Sequence, residues 1–343
     1  MPMTRQGRLT ALVASAALAS GGLLLAVPAA TAAPVFTDAN TNLDPGSGAY
    51  SGGGTCAVST TPGANTTVPV VENGGSATAS GSMTASYTNS GDGTDTATGT
   101  ATDTATGSVT SVGGTLKSMD FTGSGAVNLD QALATSACDR SLYAYVDLDF
   151  NFTLTQPGYL HVQMSNAGPA SYGEVDIWQV HATGDQPYVD HFGHGLKFNG
   201  TDDVFLPAGE YRGYFESQAW SGDRTTDFAG TGTTTVHASF SVAGSQTAAQ
   251  TGKGHRYVGF AAARTCATHS LGATVTHRKK LAHRIKKISF FVNGTKVRTL
   301  RHPHRSQAVS LTIADDQTAD VLAKVKLTNG KVLRTTASYE ACS

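Results

Sequence analysis

Two histidines and an aspartate form the most compact set of candidate metal ligands in the sequence. Asp190, His191 and His194 stand within one short segment, and Gly193 between the histidines would let the chain turn sharply. Neutral imidazoles and a carboxylate suit zinc or copper. The segment predicts either such a site, with His181 as the nearest further ligand, or a polar surface loop. The sequence predicts no cofactor for the protein, with structural calcium or zinc as the alternative.

Aromatic and acidic side chains supply a second kind of candidate site. Trp178 and Trp220 either stack on sugar rings in an exposed cleft or lie in the core. Asp147 and Asp149 share one face of a predicted strand, and further carboxylates follow at Glu174, Asp176, Asp202 and Asp203. Paired carboxylates serve glycoside hydrolysis, and carboxylate oxygens also hold calcium. The chain has no GxSxG, P-loop or HExxH motif, which favours a non-catalytic protein.

Positive charge is concentrated near the C-terminus. The basic run between residues 277 and 287 contains five candidate ligand contacts: Arg278, Lys279, Lys280, Lys286 and Lys287. Residues 34–251 carry 5 Lys and Arg against 21 Asp and Glu, whereas residues 252–343 carry 17 against 4. Such asymmetry indicates two domains and an electrostatic role for at least one of them.

Three interpretations of the basic half remain open. It binds an external polyanion, such as a teichoic acid or an acidic polysaccharide of the cell envelope. Alternatively, it docks on the acidic half of the same chain, or it is simply a solvated face. We do not expect nucleic acid as the partner, because the basic run lacks a DNA-binding framework.

The first residues predict export. Two arginines precede an apolar stretch from Leu9 to Val27, and a small-x-small cleavage site ends at Ala32. We therefore assign residues 1–32 to a signal peptide and expect a secreted, extracellular or cell-wall-associated protein. A membrane anchor fits less well, because glycines and a proline interrupt the stretch, and no later apolar run is long enough to span a bilayer.

Residues 76–110 have the most regular pattern in the chain. Every even position except Asp92 is Ser or Thr, and no odd position is. A period of two is typical of β-strands, and the glycines at 91 and 93 predict a turn that sets hydroxyls opposite hydroxyls in a hairpin. We expect bulges or breaks at the glycines, because the arms exceed ordinary strand lengths. The hydroxyls form a face that is simply solvated, binds sugar or binds ice. An ice-binding face requires several parallel rows of hydroxyls. The remaining alternative is that the segment is disordered.

Alternating apolar and polar residues continue to position 242 in several short segments separated by turn signals. This pattern predicts an all-β protein that begins with an acidic, jelly-roll-like β-sandwich over residues 33–243. The turn from Leu206 to Tyr211 resembles one that is common in extracellular sandwiches of carbohydrate-binding and surface-protein type. The glycine-containing residues 244–254 are predicted to be a linker.

Residues 255–343 predict a second, smaller sandwich. Asn293-Gly294 and Asn329-Gly330 stand between alternating segments and predict hairpins. Together with the ending from Ala337 to Cys342, these segments resemble the small bacterial immunoglobulin-like module of exported Gram-positive, actinobacterial-type proteins. The resemblance implies an immunoglobulin-like fold with a spacer, display or adhesion role and no catalytic residues.

An even number of cysteines in an exported chain indicates disulfides. Of the three pairings that four cysteines allow, we favour Cys56–Cys138 and Cys266–Cys342, because each then closes within one domain. The sequence thus predicts a non-catalytic binding or adhesion protein that contacts carbohydrate or envelope polyanions. The alternatives are an extracellular carbohydrate-active or metal-dependent enzyme and a structural spacer without a ligand.

Overall fold

The computed structural model describes residues 35–36, 41–52, 56–112, 114–131, 139–180, 188–195, 199–222, 224 and 226–343, and for residues 35–36, 131 and 188–195 the backbone alone. The predicted signal peptide, Cys138 and His181 lie outside these ranges. The described chain is almost entirely antiparallel β-structure, in four sheets. The all-β prediction is therefore confirmed.

The first two sheets form an acidic sandwich. Sheet 1 has the strand order β11-β10-β13-β8-β2-β4, with β1 also paired to β8, and sheet 2 has the order β12-β9-β14-β7-β6-β5-β3. Their strands are β1 Val35–Phe36, β2 Asn42–Gly52, β3 Cys56–Pro62, β4 Val68–Pro69, β5 Ala77–Asn89, β6 Asp92–Val112, β7 Thr115–Gln131, β8 Asp139–Leu154, β9 Gly158–Ala167, β10 Ser171–Gln179, β11 Tyr188–Gly195, β12 Asn199–Leu206, β13 Gly209–Trp220 and β14 Phe228–Val242.

The chain alternates between these two sheets in the manner of a jelly roll. From β7 to β10 each successive strand enters the opposite sheet, and β12 to β14 repeat the alternation. Inward-facing aromatic side chains fill the space between the sheets, with Phe150 and Phe215 at 4.7 Å and Phe152 and Tyr211 at 5.2 Å between ring centroids. Because alternate residues point to opposite faces, the same strands present polar side chains outward.

The alternating Ser and Thr residues of segment 76–110, which we call the hydroxyl ladder, form the predicted hairpin. Thr88 pairs with Thr96 and Ser86 with Thr98, so hydroxyls lie opposite hydroxyls between β5 and β6. The expectation of bulges or breaks at the glycines is met only beside the turn, where the register shifts between Thr88 and Asn89 and Asn89 pairs with Asp92. Farther along, β6 runs without a register shift past Gly99 and Gly107. A Cβ atom on Gly99 would lie 3.0 Å and 3.1 Å from leucine methyl groups. The glycines therefore make room for core leucines instead of ending the strand.

Two further sheets form the second sandwich. Sheet 3 has the order β15-β22-β21-β18-β19, and sheet 4 has the order β16-β17-β20. Their elements are β15 Gln246–Thr251, a 3-10 turn Lys253–Arg256, β16 Val258–Phe260, a 3-10 turn Cys266–Thr268, β17 Ser270–Val275, α1 Lys279–Ala282, β18 Ile285–Val292, β19 Thr295–Arg301, β20 Ala308–Thr312, β21 Ala319–Leu327 and β22 Val332–Tyr339.

The turn between β18 and β19 has the predicted form. Asn293 and Gly294 both have positive φ, 46° and 78°, which is the backbone that a two-residue hairpin turn requires. A core of Ile288, Phe290, Leu311 and other apolar side chains lies between sheets 3 and 4.

The chain passes between the sandwiches within a few residues. The backbone N–H of Ala243 donates to Pro157 of the first sandwich, and that of Gly244 donates to Ala341 of the second. Most of the segment predicted as a linker, 244–254, is ordered as β15 and a 3-10 turn, because β15 pairs with β22. Cys266 forms a disulfide with Cys342. Cys56 is also disulfide-bonded, whereas its predicted partner, Cys138, lies outside the described residues.

Candidate functional site

The second sandwich is electrically polarised from one end to the other. Its four carboxylate residues, Asp315, Asp316, Asp320 and Glu340, all lie at the end where the chain enters from the first sandwich, which we call the junction end. There Asp315 lies 3.5 Å from the buried Arg264, and Ser338 donates to Asp320. The opposite end therefore has no carboxylate side chain to neutralise its cations.

Strand pairing gathers basic residues at that opposite end. The pairs Val258 with Val275, Ile285 with Leu327, and Lys287 with Arg301 bring four segments together. We call this the distal end and define it as residues 253–258, 275–287, 301–307 and 327–333. Its exposed Lys and Arg side chains are Lys253, Arg256, Arg278, Lys279, Lys280, Arg284, Lys286, Arg301, Arg305 and Lys331.

Apolar residues within the basic run fix the shape of the distal end. Leu281 packs against the core, Ala282 is buried, and Ile285 begins β18 inside the core. The helical turn α1 closes with backbone hydrogen bonds from Leu281 and Ala282 to Arg278. The charged residues between these apolar anchors are therefore directed to solvent on a supported backbone.

Three cavities open at the distal end, and cations line each of them. The first, about 690 Å³, is lined by Lys279, His283, His302, His304 and Arg305, with uncharged neighbours. The second, about 810 Å³, is lined by His255, Arg256, His277 and Arg278 among others. The third, about 660 Å³, is lined by Lys253, His255, Arg256 and Lys331 among others. Because the second and third share His255 and Arg256, they form a continuous basic surface.

The predicted cationic contacts are only partly brought together. Arg278 and Lys279 line cavities, whereas Lys280 is exposed beside them and Lys286 and Lys287 lie on β18 outside these cavities. Sequence reasoning missed the contributions of Lys253, His255, Arg256 and Lys331. The charge count of the basic half included Lys253, Arg256 and Lys331 but not His255, and only strand pairing places these residues near α1.

The two tryptophans lie on the same outer face of sheet 1 but do not form one platform. Trp178 is half-buried on β10, in register with Arg212 on β13. Trp220 stands eight residues farther along β13, which is about 27 Å. It is 41% exposed, and its Nε1 donates to Ser141 Oγ at 2.7 Å.

A row of carboxylates crosses this face. Asp44, Asp147, Glu216 and Glu174 are in register across β2, β8, β13 and β10. Burial, and then the negative charges of its neighbours beginning with Glu216, raise the pKa of Asp147 to about 9. Burial and then the negative charges of Glu174 and Asp176 raise the pKa of Glu216 to about 7. Asp147 and Glu216 therefore retain protons at pH values where ordinary carboxyl groups are ionised.

The predicted metal ligands lie on β11. Asp190 is in register with Ile177, and His191 with Asp176, on the neighbouring β10. The side chains of Asp190, His191 and His194 are outside the described part of the structure. Among the side chains that are described, no group of three or more His, Cys, Asp and Glu is placed to hold a metal ion.

The outer face of sheet 2 carries hydroxyls over a wider area than the sequence indicated. Thr78, Thr106, Thr122, Thr235 and Ser165 form one row across five neighbouring strands. On β5 and β6 the hydroxyl positions are mostly exposed and the Ala, Met, Tyr and Val positions are mostly buried. The hydroxyls therefore face solvent, as one of the predicted alternatives requires.

Comparison with known proteins gives only weak structural similarities. No protein-family model and no curated protein matches the sequence. Similar solved structures include the adhesin domain of Epf from Streptococcus pyogenes, at 10% identity and TM-score 0.18, covering 66% of this chain and 79% of that one. A Ruminococcus gnavus β-glucuronidase has 9% identity and TM-score 0.18, and the match covers 58% of this chain and 36% of that one. A GH2 β-galacturonidase from Eisenbergiella tayi has 9% identity and TM-score 0.14, and the match covers 56% of this chain and 34% of that one. These values are too low to transfer a function to this chain.

No helix within the described ranges is both long and apolar enough to cross a bilayer.

Proposed function

We propose that this chain is a secreted, envelope-associated binding protein whose second sandwich holds an anionic polymer at its distal end. The observation that carries the proposal is the separation of charge within that sandwich. All four of its carboxylates lie at the junction end, and cations line all three cavities at the distal end. Such a surface attracts anions and concentrates them near the protein.

The presence of three basic cavities at one end of the sandwich favours a polymer over a single small anion. Each cavity offers its own lysine or arginine donors, and two of the cavities share side chains. A chain with repeated phosphate or carboxylate groups can contact several of them at once, which multiplies weak individual contacts. Arginine forms paired hydrogen bonds with such groups, whereas lysine acts as a mobile point charge.

Within the described residues, the distal cations form no ion pair with a carboxylate of the first sandwich. Inside the second sandwich, the ion pair between an arginine and a carboxylate is that of Arg264 with Asp315, which lies at the junction end. The registers instead place the distal end on the far side of the second sandwich from the junction. This placement supports an external partner over internal neutralisation.

A wall-binding assay tests the proposal. The full mature chain is sedimented with isolated Gram-positive cell walls across a salt series, before and after chemical removal of the phosphate-containing wall polymers. We expect retention at low salt, release at high salt, and loss of retention after the polymers are removed. The variant K279E/R305E, which reverses two cations of one cavity, should be released at lower salt.

A matched variant separates local from general charge effects. K117E/K296E makes the same change in net charge at two exposed lysines outside the three cavities. Equal weakening by both variants would show that net charge alone governs retention. The proposal would be overturned if neither the wild-type protein nor K117E/K296E were retained on the cell walls at any salt concentration.

A further inference from the structure

A cleft on the outer face of sheet 1 has a different chemistry from the distal end. Two neighbouring rows of side chains form it. Asn42, Asp149 and Tyr214 are in register across β2, β8 and β13. Asn151, Arg212 and Trp178 are in register across β8, β13 and β10. These six residues line a cavity of about 550 Å³, which is within the range of small-molecule sites.

Aromatic rings form one wall of the cleft. The centroids of Trp178 and Tyr214 are 5.4 Å apart, with the rings tilted by 43°. The Arg212 guanidinium lies 5.4 Å from the centre of the Trp178 ring, an arrangement that favours a fixed orientation of the indole. Both rings are half-buried, so each retains an exposed part at the cavity.

Planar polar groups complete the cleft. The carboxamides of Asn42 and Asn151 each offer a donor and an acceptor, and the carboxyl group of Asp149 accepts hydrogen bonds when ionised. Burial, followed by the hydrogen bond and negative charge of Asp44, raises the pKa of Asp149 to about 6. At neutral pH this group is therefore mostly an acceptor at the edge of an aromatic surface.

This combination fits a neutral sugar. A sugar ring has an apolar face of C–H groups that packs on aromatic rings and an edge of adjacent hydroxyls that pairs with amide and carboxylate groups. An anionic ligand is disfavoured, because the carboxylate of Asp149 lines the cleft itself and Asp44 lies beside it. We propose that the cleft of Asn42, Asp149, Asn151, Trp178, Arg212 and Tyr214 is a binding site for a neutral glycan.

The small number of tryptophans provides a direct readout. The chain has 2 tryptophans, so W220F leaves Trp178 as the sole indole. The full-length W220F protein is titrated with maltohexaose, cellohexaose, xylohexaose and the hexamer of N-acetylglucosamine while the emission of Trp178 is recorded. We expect a saturable change with at least one of these sugars below about 10 mM.

Substitutions inside the cleft establish where the sugar binds. In the W220F background, N151A and D149N should each weaken binding by about threefold to tenfold, because each removes hydrogen-bonding partners of the sugar. T102A, on the exposed face of sheet 2, and K279E/R305E, at the distal end, should leave the affinity unchanged. Circular dichroism and the unfolding temperature confirm that each variant is folded.

Two outcomes would overturn the proposal. One is the absence of a saturable signal with all four sugars. The other is a signal whose affinity is the same in N151A and D149N as in their parent, which would place the sugar elsewhere on the protein. The polyanion assay uses other residues and another ligand, so failure of either proposal leaves the other standing.

Discussion

His161 Nε2 lies 3.4 Å from Glu340 Oε1, and this contact joins the first sandwich to the second. The other ring nitrogen, Nδ1, is 2.6 Å from Asp203 Oδ1 of the first sandwich. Tyr159 packs beside the imidazole, and its hydroxyl donates to the backbone oxygen of Ser343. His161 therefore stands between two carboxylates that belong to different sandwiches.

This geometry predicts an energetic coupling across the junction. In a double-mutant cycle of H161Q and E340Q, thermal unfolding of the full chain should give a coupling of about 0.5–1 kcal/mol, because either substitution alone already weakens the contact. The control pair is His237 with Asp120, 2.6 Å apart within the first sandwich. A coupling of zero between His161 and Glu340 would contradict a contact that joins the two sandwiches.

The carboxylate row predicts that the first sandwich loses stability as the solution becomes alkaline. The folded-state pKa of Asp147 is raised above its ordinary value of 3.8 to about 9. The folded chain thus holds this proton more tightly than the unfolded chain, so the stabilisation is complete below about pH 4 and is lost as the pH rises toward 9. Asp149 and Glu216, with pKa values raised to about 6 and about 7, act in the same direction.

The variant D147N tests this dependence. Asn cannot ionise, so the free energy of unfolding at about pH 8 should rise by roughly 1–3 kcal/mol and its decline with pH should become shallower. Denaturant titrations at several pH values measure both effects. D130N, at an exposed position of β7, provides the matched control. Stability that increases from pH 5 to pH 9 would contradict the account.

The two faces of the hydroxyl ladder predict opposite responses to substitution. Ala101 is fully buried and Thr102 is exposed on the same strand. A101T should cost about 1–3 kcal/mol of unfolding free energy, because it adds volume and an unpaired hydroxyl to the core. T102A should change it by no more than about 0.5 kcal/mol. Equal losses in the two variants, measured by thermal unfolding, would mean that the outer face is covered.

Alternation and turn chemistry made the local structure predictable. The period of two from residue 76 to 110 specified which side chains face inward, and Asn293-Gly294 specified a hairpin, because both depend on neighbouring residues only. The unbroken course of β6 past Gly99 and Gly107 was not predictable in the same way. It depends on core leucines that fill the space beside Gly99 and Gly107, and these come from strands distant in sequence.

The candidate sites depend on pairings between distant strands. Charge counting located the basic half, but Arg256 and Lys331 reach the distal end through β16 and β22. The carboxylate row likewise joins Asp44 to Glu174, which are far apart in the chain. The five-strand extent of the hydroxyl rows was missed because Thr122 and Thr235 lie outside the repetitive segment.

The disulfide between Cys266 and Cys342 predicts a large effect on the second sandwich. It links two cysteines with a sequence separation of 76. Closing a loop of this length lowers the entropy of the unfolded chain, which stabilises the folded state by roughly 4–5 kcal/mol. C266A/C342A should therefore lower the unfolding temperature of the second sandwich by more than about 10 °C and leave the first sandwich unaffected. Differential scanning calorimetry measures both transitions, and an unchanged second transition would contradict a stabilising bridge.

We propose that the distal end binds an anionic polymer through its clustered cations. The affinity of the full mature chain for long-chain sodium polyphosphate, measured by titration calorimetry from about 50 mM to about 500 mM NaCl, tests this proposal directly. We predict an affinity that falls at least tenfold over this range, and a shallower dependence on salt for K279E/R305E than for wild type or K117E/K296E. An affinity that is independent of salt, or one that both variants weaken equally, would contradict the claim.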